Sequence, residues 1–384
     1  MKCKITNKPI QPFMTFGKMP IANGFIEKKN FSDEFFFNME VGFNDELSLF
    51  QLNDHPKPEK MFNQNYPFFT GSSEYMKTHF KKYADFVKKY ITANSKVIEI
   101  GSNDGTFLKN FDSQSYKILG IEPSNNVADI SKKNGIPTLN SFFNKTNVSN
   151  LKEYLGQTDL ICASNVICHV PDLNNLIEAV NLLLSSSGTF VFEEPYLGSM
   201  FKKVSYDQIY DEHIYMFSAS SVSKIFQRFD LKLVDAVPQD THGGSMRYII
   251  KRNNSEISEN IKRIINFEEK EKINSLDACL KFKKDCELSK QKILHKVKLL
   301  KDSGKTICGY AATSKSTTVL NYCNIGSEYI DFICDTTKEK IGKFSPGMHI
   351  PIKDMEYFHR NTTDCVYLFA WNHKNEILNK EKEF

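Results

Sequence analysis

From Ser73 to Tyr90 apolar residues recur at three- and four-residue steps, at Tyr75, Met76, Phe80, Tyr83, Phe86, Val87 and Tyr90. That spacing predicts an amphipathic helix. Before it, residues 1–75 show no long helical period. They are rich in Phe, Pro, Asn and turn-forming pairs, with short extended candidates at 35–41 and 47–52, which predicts a small β-rich cap ending near residue 75. Between 95 and 250 strand-like runs at 96–100, 117–121, 159–163 and 188–192 alternate with helical segments at 106–111, 125–134 and 173–184. Such alternation predicts an α/β unit with a doubly wound parallel sheet, whose ligands sit beyond the carboxyl ends of the strands. Residues 255–301 are charged, free of Pro and Gly, and apolar near helical spacing, predicting one or two long connecting helices. A second strand–loop–helix unit begins at Lys305 with TICGYAATSKSTTVLNYC, followed by strands in YIDFICD and DCVYLFAW. The expected organisation is a cap (1–75), a central domain (76–254), a helical connector (255–300) and a C-terminal α/β domain (301–384), with no internal repeat.

Composition narrows the function classes. A chain of 384 residues, 40% hydrophobic, with 31 Phe and 16 Tyr, has ample material for a core and for more than one domain. Fifty Lys and Arg against 46 Asp and Glu leave +4, and the basic residues are scattered, so no nucleic-acid footprint is expected. The longest apolar runs, such as 96–100 and 189–192, are strand-sized, and Met1-Lys2-Cys3-Lys4 does not open an apolar signal region, so neither membrane nor export is expected. Nine irregularly spaced Cys read as reduced thiols in a cytoplasmic protein.

The first chemical constellation follows the strand at 96–100. Glu99-x-Gly101-Ser102-Asn103-Asp104-Gly105 sits at an expected strand-to-helix turn, where glycines let backbone amides approach a ligand and a helix N-terminus favours an anionic group. Tight strand–helix packing without a ligand explains the same spacing. Glu122, 23 residues after Glu99 and followed by Pro123, ends the next strand, where an acid can accept hydrogen bonds from ribose hydroxyls; a solvated strand end is the plainer alternative. A single leading glycine with acidic Asp104 would repel a pyrophosphate and suits a cationic sulfonium. The expected cofactor is therefore S-adenosylmethionine rather than NAD.

The second constellation is spread over later loops. Asn165 and His169 follow the strand at 159–163, His169 being equally readable as a structural histidine. The segment from Tyr206 to Tyr215, YDQIYDEHIY, is dense in titratable groups and lacks a clean period, which makes it a site candidate. There a neutral His213 beside the carboxylate of Glu212 could abstract a proton, and the Tyr210 phenol could donate to a developing oxyanion. Thr241-His242-Gly243-Gly244 forms either a tight turn or a place where a ligand meets the backbone. In the C-terminal unit, residues 309–317, with small residues, hydroxyls and Lys315, resemble a phosphate cradle without Walker spacing, fitting a nucleotide diphosphate better than triphosphate hydrolysis.

Taken together, YPFFTGSSEYMKTHF, VIEIGSNDGTFL, GIEPSNN, ASNVICHVPDL, FEEPY, YDQIYDEHIYMFS, HGGSMR, GYAATSKSTTVLNYC, PGMHIPI and LFAWNH resemble the sugar C-methyltransferase family. Its members methylate a carbon next to the ketone of nucleotide-linked keto-deoxyhexoses, as in deoxysugar biosynthesis. The resemblance implies a class I methyltransferase Rossmann-like core, a small N-terminal domain and a C-terminal Rossmann-like α/β domain. It implies cofactor contacts from Glu99, Gly101, Ser102, Asn103, Asp104, Gly105, Glu122 and Pro123. His213 would be the general base, with Tyr210, Glu212, His169 and Asn165 around the reacting sugar. Tyr66 and Phe68 would lie on a lid, and His242, Gly243 and Lys315 near a nucleotide-sugar cleft. Relatives of this kind commonly hold a zinc with two Cys pairs in the N-terminal domain, but the first 75 residues here offer only Cys3 and His55 as soft donors; no structural zinc is expected. The competing readings are an O- or N-methyltransferase on another phosphorylated small molecule, and a non-catalytic binding protein of the same fold.

Overall fold

The computed structural model describes residues 1–62, 66 and 68–382. Its fifteen strands are β1 (Gln11–Pro20), β2 (Phe36–Asn44), β3 (Leu49–Leu52), β4 (Lys96–Ile100), β5 (Lys117–Glu122), β6 (Thr138–Asn140), β7 (Thr158–Ser164), β8 (Leu184–Pro195), β9 (Tyr215–Met216), β10 (Leu231–Gln239), β11 (Ser245–Arg252), β12 (Ile307–Tyr310), β13 (Phe332–Cys334), β14 (Ile352–Lys353) and β15 (Cys365–Leu368). They form three sheets. The central one has seven strands in the order β10-β11-β8-β7-β4-β5-β6, the arrangement of a class I methyltransferase core.

Strand alternation explains how this sheet is buried on both sides. Ile98, Ile100, Ile161, Phe190 and Phe192 face the helices Leu173–Leu183 and Ala219–Gln227. Their sequence neighbours Val97, Leu160, Cys162 and Val191 face the helix Glu74–Val87. The sheet is not wholly parallel, as the sequence pattern suggested, because β10 and β11 form an antiparallel hairpin that joins β8 antiparallel. A second expectation also fails. Residues 106–111 form only a 3-10 turn, Leu108–Asn110, because Asn110 Nδ2 caps the carbonyls of Thr106 and Phe107 at 3.1 and 2.9 Å and so competes with helical continuation. No helix N-terminus therefore follows the glycine loop.

The N-terminal sheet runs β1-β2-β3-β9. Its last strand belongs to the loop carrying Tyr210 and His213, with Phe50 opposite Met216 and Gln51 opposite Tyr215. The cap that the sequence sets apart at residue 75 is thus completed in space by central-domain residues. Two helices, Glu259–Lys270 and Leu276–Asp302, lead to a four-stranded parallel sheet, β14-β13-β12-β15. Among the described residues, no helix is long and apolar enough to cross a membrane.

One charged junction locks the helix Glu74–Val87 to the central sheet. Glu193 on β8 accepts from Arg247 Nε at 2.6 Å on the neighbouring β11 and lies 2.6 Å from His79 Nε2 on the helix. The guanidinium stacks over the rings of Tyr83 and Phe86, 4.4 and 4.5 Å from their centroids. Both charges are almost fully buried, so removing one strands the other in low dielectric. Glu193→Ala should cost about 3–5 kcal/mol of unfolding free energy, read from denaturant melts; a loss well below about 1 kcal/mol would mean that Arg247 finds water or another partner.

Candidate active site

A cavity of about 1370 Å³ passes between the cap, the carboxyl end of the central sheet and the C-terminal domain. Its first lobe lies over the turn after β4. Gly101, Asn103 and Gly105 take positive φ there, at 66°, 49° and 79°, which turns the chain sharply across the strand ends. Glu122, at the end of β5, is buried and held on both oxygens, by Asn103 N at 2.9 Å and Ser124 N at 2.8 Å. Glu99 lies one strand away with Oε2 buried and unpartnered, and burial, then Asp104 and Glu122, push its pKa well up. The cap edge closes this lobe: Thr70 N donates to Asn103 Oδ1 at 2.9 Å, Gly71 N to Asp104 Oδ2 at 2.7 Å, and Asn126 Nδ2 to Tyr66 O at 2.9 Å.

The middle lobe is built on the loop between β8 and β9. His213 Nδ1 donates to the Gln208 carbonyl at 2.7 Å, which leaves Nε2 as the acceptor for the Tyr210 hydroxyl, also at 2.7 Å. Burial holds the His213 pKa well below its ordinary value and raises that of Tyr210, so at neutral pH the pair is a neutral imidazole capped by a phenol. Rings continue the contact outward. His169 stacks on His213 with centroids 5.2 Å apart, Phe62 stacks on His169 at 5.6 Å, and Tyr66 packs on Phe62 at 5.5 Å. His169 Nε2 is buried without a partner, and burial pushes the His169 pKa down to about 3. Asn165 Nδ2 donates to His242 Nε2 at 2.8 Å. Glu212 is buried beside Asp211, and burial raises both carboxyls above the usual range.

Glu194, the second acid of FEEPY, carries the turn on which His169 stands. Its Oε1 accepts the amides of Val166, Ile167 and Cys168 at 3.0, 2.7 and 3.3 Å. Burial still pushes its pKa up to about 7. Sequence reasoning gave this residue no role, since only the fold brings three amides to one oxygen.

The third lobe faces the C-terminal domain. Lys315, in the first turn of the helix Ser314–Cys323, reaches the His242 carbonyl and Asn372 Oδ1 at only 3.5 and 3.3 Å. Lys340 donates to the Ala312 carbonyl at 2.8 Å. Both are half-buried, and desolvation lowers their pKa values.

Of the residues singled out from sequence, Tyr66, Phe68, Gly101, Asn103, Glu122, Pro123, Asn165, His169, Tyr210, Glu212, His213, His242 and Lys315 line this one cavity. Five stand behind its wall. Glu99 is inside the sheet, and Ser102 packs against Gly120, where an added Cβ would come within 2.4 Å of its hydroxyl. Asp104 is turned toward Gly71 and Thr106. Gly105 sits against Ser131 and Ile136, and Gly243 against the Trp371 ring. The His242–Gly244 segment is a turn with positive φ at 53°, 85° and 121°; His242 lines the cavity, while the two glycines pack against Trp371 and Ser199. Asn23, Lys340 and the loop 335–339 also line it, and sequence carried no local signal for them.

Three family models match the chain: a methyltransferase domain over residues 74–236, a C-methyltransferase C-terminal domain over 240–384, and a zinc binding domain over 3–62. The C-methyltransferase NovU of Streptomyces niveus is 28% identical over 376 residues, covering 97% of this chain and 89% of the relative. Among solved structures, an S-adenosylmethionine-dependent methyltransferase from Clostridium acetobutylicum overlaps 48% of this chain and 94% of its own at 13% identity and a TM-score of 0.36. The magnesium protoporphyrin IX methyltransferase ChlM of Synechocystis, solved with S-adenosylmethionine bound, overlaps 46% and 79% at 10% identity and 0.34. The chain is an S-adenosylmethionine-dependent methyltransferase. Its first lobe suits that cofactor: the Glu122 carboxyl is fixed at the cavity wall by the Asn103 and Ser124 amides, and Asp104 behind it adds negative charge favourable to a sulfonium.

The N-terminal segment does not suit a zinc. Cys3 and His55 are its soft donors, and Cys3 is buried among Ile5, Leu47 and Leu49 in an apolar cluster, where a tetrahedral ion would lack ligands. The facing turns are closed instead by Asn44 Nδ2 donating to Thr6 Oγ1 at 3.5 Å and Leu47 N to Asn44 Oδ1 at 2.9 Å. Among the described residues one group of possible ligands converges, Cys168, His169 and His213, but both His213 nitrogens are engaged and burial raises the Cys168 thiol pKa. Elemental analysis of the purified protein should therefore find zinc far below one ion per chain, with no change in the melting curve on chelation; stoichiometric zinc lost together with stability would overturn that expectation.

Proposed function

We propose that this enzyme transfers the methyl group to the carbon beside the ketone of a nucleotide-linked keto sugar, with His213 accepting the proton that leaves. Methylation at carbon is supported by the C-methyltransferase C-terminal match over 240–384 and by the relative NovU. The observation that carries the reading is the Tyr210–His213 pair, 2.7 Å apart, buried between the cofactor lobe and the C-terminal lobe of one cavity. A phenol and an imidazole at that separation match a carbonyl oxygen and the hydrogen on the neighbouring carbon. The two half-buried lysines of the cavity wall, Lys315 and Lys340, favour an anionic anchor such as a diphosphate over a neutral sugar.

In this mechanism Glu122 would hold the cofactor by accepting hydrogen bonds from its ribose hydroxyls, and the cofactor would supply an electrophilic methyl group on a sulfonium, the methyl–sulfur bond breaking as the C–C bond forms and its electron pair staying on the departing neutral thioether. The chain's residues do the rest. As the sugar docks, the Tyr210 hydroxyl turns from His213 Nε2 to the ketone oxygen, freeing that nitrogen. Nε2 takes the proton from the neighbouring carbon, the C–H electron pair moves into the enolate, and the Tyr210 hydroxyl stabilises the oxygen that becomes negative. Nδ1–H, already bonded to the Gln208 carbonyl, remains a donor in the imidazolium. The Glu212 carboxyl, beside Tyr210, accepts from a sugar hydroxyl. The enolate carbon then forms the new C–C bond, and His213 releases its proton after product leaves.

Two measurements check this reading. Glu122→Ala should weaken S-adenosylhomocysteine binding by about 1.5–3 kcal/mol in calorimetry, and unchanged affinity would remove Glu122 from the cofactor site. With S-adenosylhomocysteine in deuterated water, the parent protein should exchange the proton beside the ketone, because no methyl group is available to trap the enolate. His213→Ala should lose turnover by about 10²–10⁴-fold while keeping cofactor affinity. Turnover at the parent rate would exclude His213 as the base, and a methyl group found on oxygen or nitrogen would exclude carbon as its destination.

A further inference from the structure

The N-terminal cap reaches the reaction lobe through a two-residue wedge after β1, Ala22-Asn23. Ala22 is buried, its amide donates to Asp211 Oδ1 at 2.9 Å, and its carbonyl accepts from Thr317 Oγ1 at 2.8 Å. These two bonds tie the wedge to the Tyr210–His213 loop and to the C-terminal helix Ser314–Cys323. The Asn23 side chain makes a further contact. It lines the cavity, and its Nδ2 donates to Glu212 Oε1 at 2.6 Å, a short charge-assisted bond across 189 residues of sequence.

We infer that Asn23 is a positioning residue for the transfer reaction, its amide holding the Glu212 carboxyl in one orientation beside Tyr210. The inference rests on the reading that this lobe receives the sugar. Glu212 is adjacent to Asp211, faces Tyr210, Tyr66 and Cys168, and meets one half-buried cation, Lys340. Burial raises its pKa, whereas the Asn23 amide, first, and Lys340, second, pull it back. The sign follows from the bond: a donor stabilises the carboxylate, so deleting it raises the pKa and moves ionisation to higher pH. Desolvation among so many acids and phenols is what makes one neutral donor matter.

The test uses full-length parent, Asn23→Ala, Asn23→Gln and Glu212→Gln. Carbon-13 glutamate NMR follows the Glu212 carboxyl, assigned by its loss in Glu212→Gln, with no substrate present. Asn23→Ala should titrate at higher pH than the parent, and Asn23→Gln, which keeps an amide donor, should move back toward it. In the methylation assay, Asn23→Ala should lower kcat about tenfold, shift the acidic limb of the kcat profile to higher pH and leave S-adenosylhomocysteine affinity unchanged. Should Asn23→Ala not fold, Asn23→Leu, which keeps the shape and neutrality but loses the donor, carries the same titration. Identical Glu212 titration in parent and donor-less variant overturns the inference, as does an unshifted kcat profile. A parent that methylates no keto sugar instead sinks the substrate reading, while the titration still decides whether Asn23 governs Glu212.

Discussion

The structure depends on burying a loop that sequence marks as polar. Residues 206–215 carry phenols, carboxyls and an imidazole, and nearly all of them are inaccessible to water. Each buried polar atom left unpaired costs about 1–3 kcal/mol, so the loop is tenable only where partners come to it. They come from every side. Ala22 and Asn23 of the cap serve Asp211 and Glu212, Thr318 serves the Ile209 carbonyl, and Trp371 Nε1 serves Asp207 at 2.7 Å. Strand β9 then continues the same loop into the N-terminal sheet. The requirement to satisfy this segment is thus what joins three domains around one cavity.

The cavity's electrostatics divide along its length. At the cofactor end Glu99, Asp104 and Glu122 crowd together, and burial raises the pKa values of Glu99 and Glu122; a cationic ligand relieves that crowding. At the far end Lys315 and Lys340 are half-buried with long or neutral contacts, an environment that an anionic ligand relieves. Between them the histidines are neutral because desolvation opposes their charge. Acids at one end, lysines at the other and neutral imidazoles in the middle make a field in which cationic and anionic ligand groups have opposite preferred ends.

The N-terminal domain shows a different solution to a shared problem. Small β-rich units with little core are often held by a metal. Here the turns at Cys3–Asn7 and Asn44–Leu47 are tied by side-chain and backbone hydrogen bonds over an apolar floor of Cys3, Ile5, Leu47 and Leu49. Further stability comes from lending the sheet's edge to β9, and from Phe31 stacking on His349 of the C-terminal domain at 3.7 Å while Glu34 binds the same imidazole at 2.7 Å.

Sequence by itself determined the alternation of strands and helices, the acid at the end of β5, the polar density of 206–215 and the hydroxyl-rich turn before the helix Ser314–Cys323. These are local patterns, with periods of two or about 3.6 residues or fixed short spacings, and they survive whatever the rest of the chain does. Tertiary structure decided what no local period records. Residues 106–111 lost their helix to the Asn110 side chain. The β10–β11 hairpin made the sheet mixed. Glu194 became the anchor of the His169 turn, and Asn23, Lys340 and Glu212 met across long stretches of chain. A buried polar group takes whichever partner the packed fold brings within hydrogen-bond reach, and that partner's distance along the chain is unconstrained by any pattern in the chain around it.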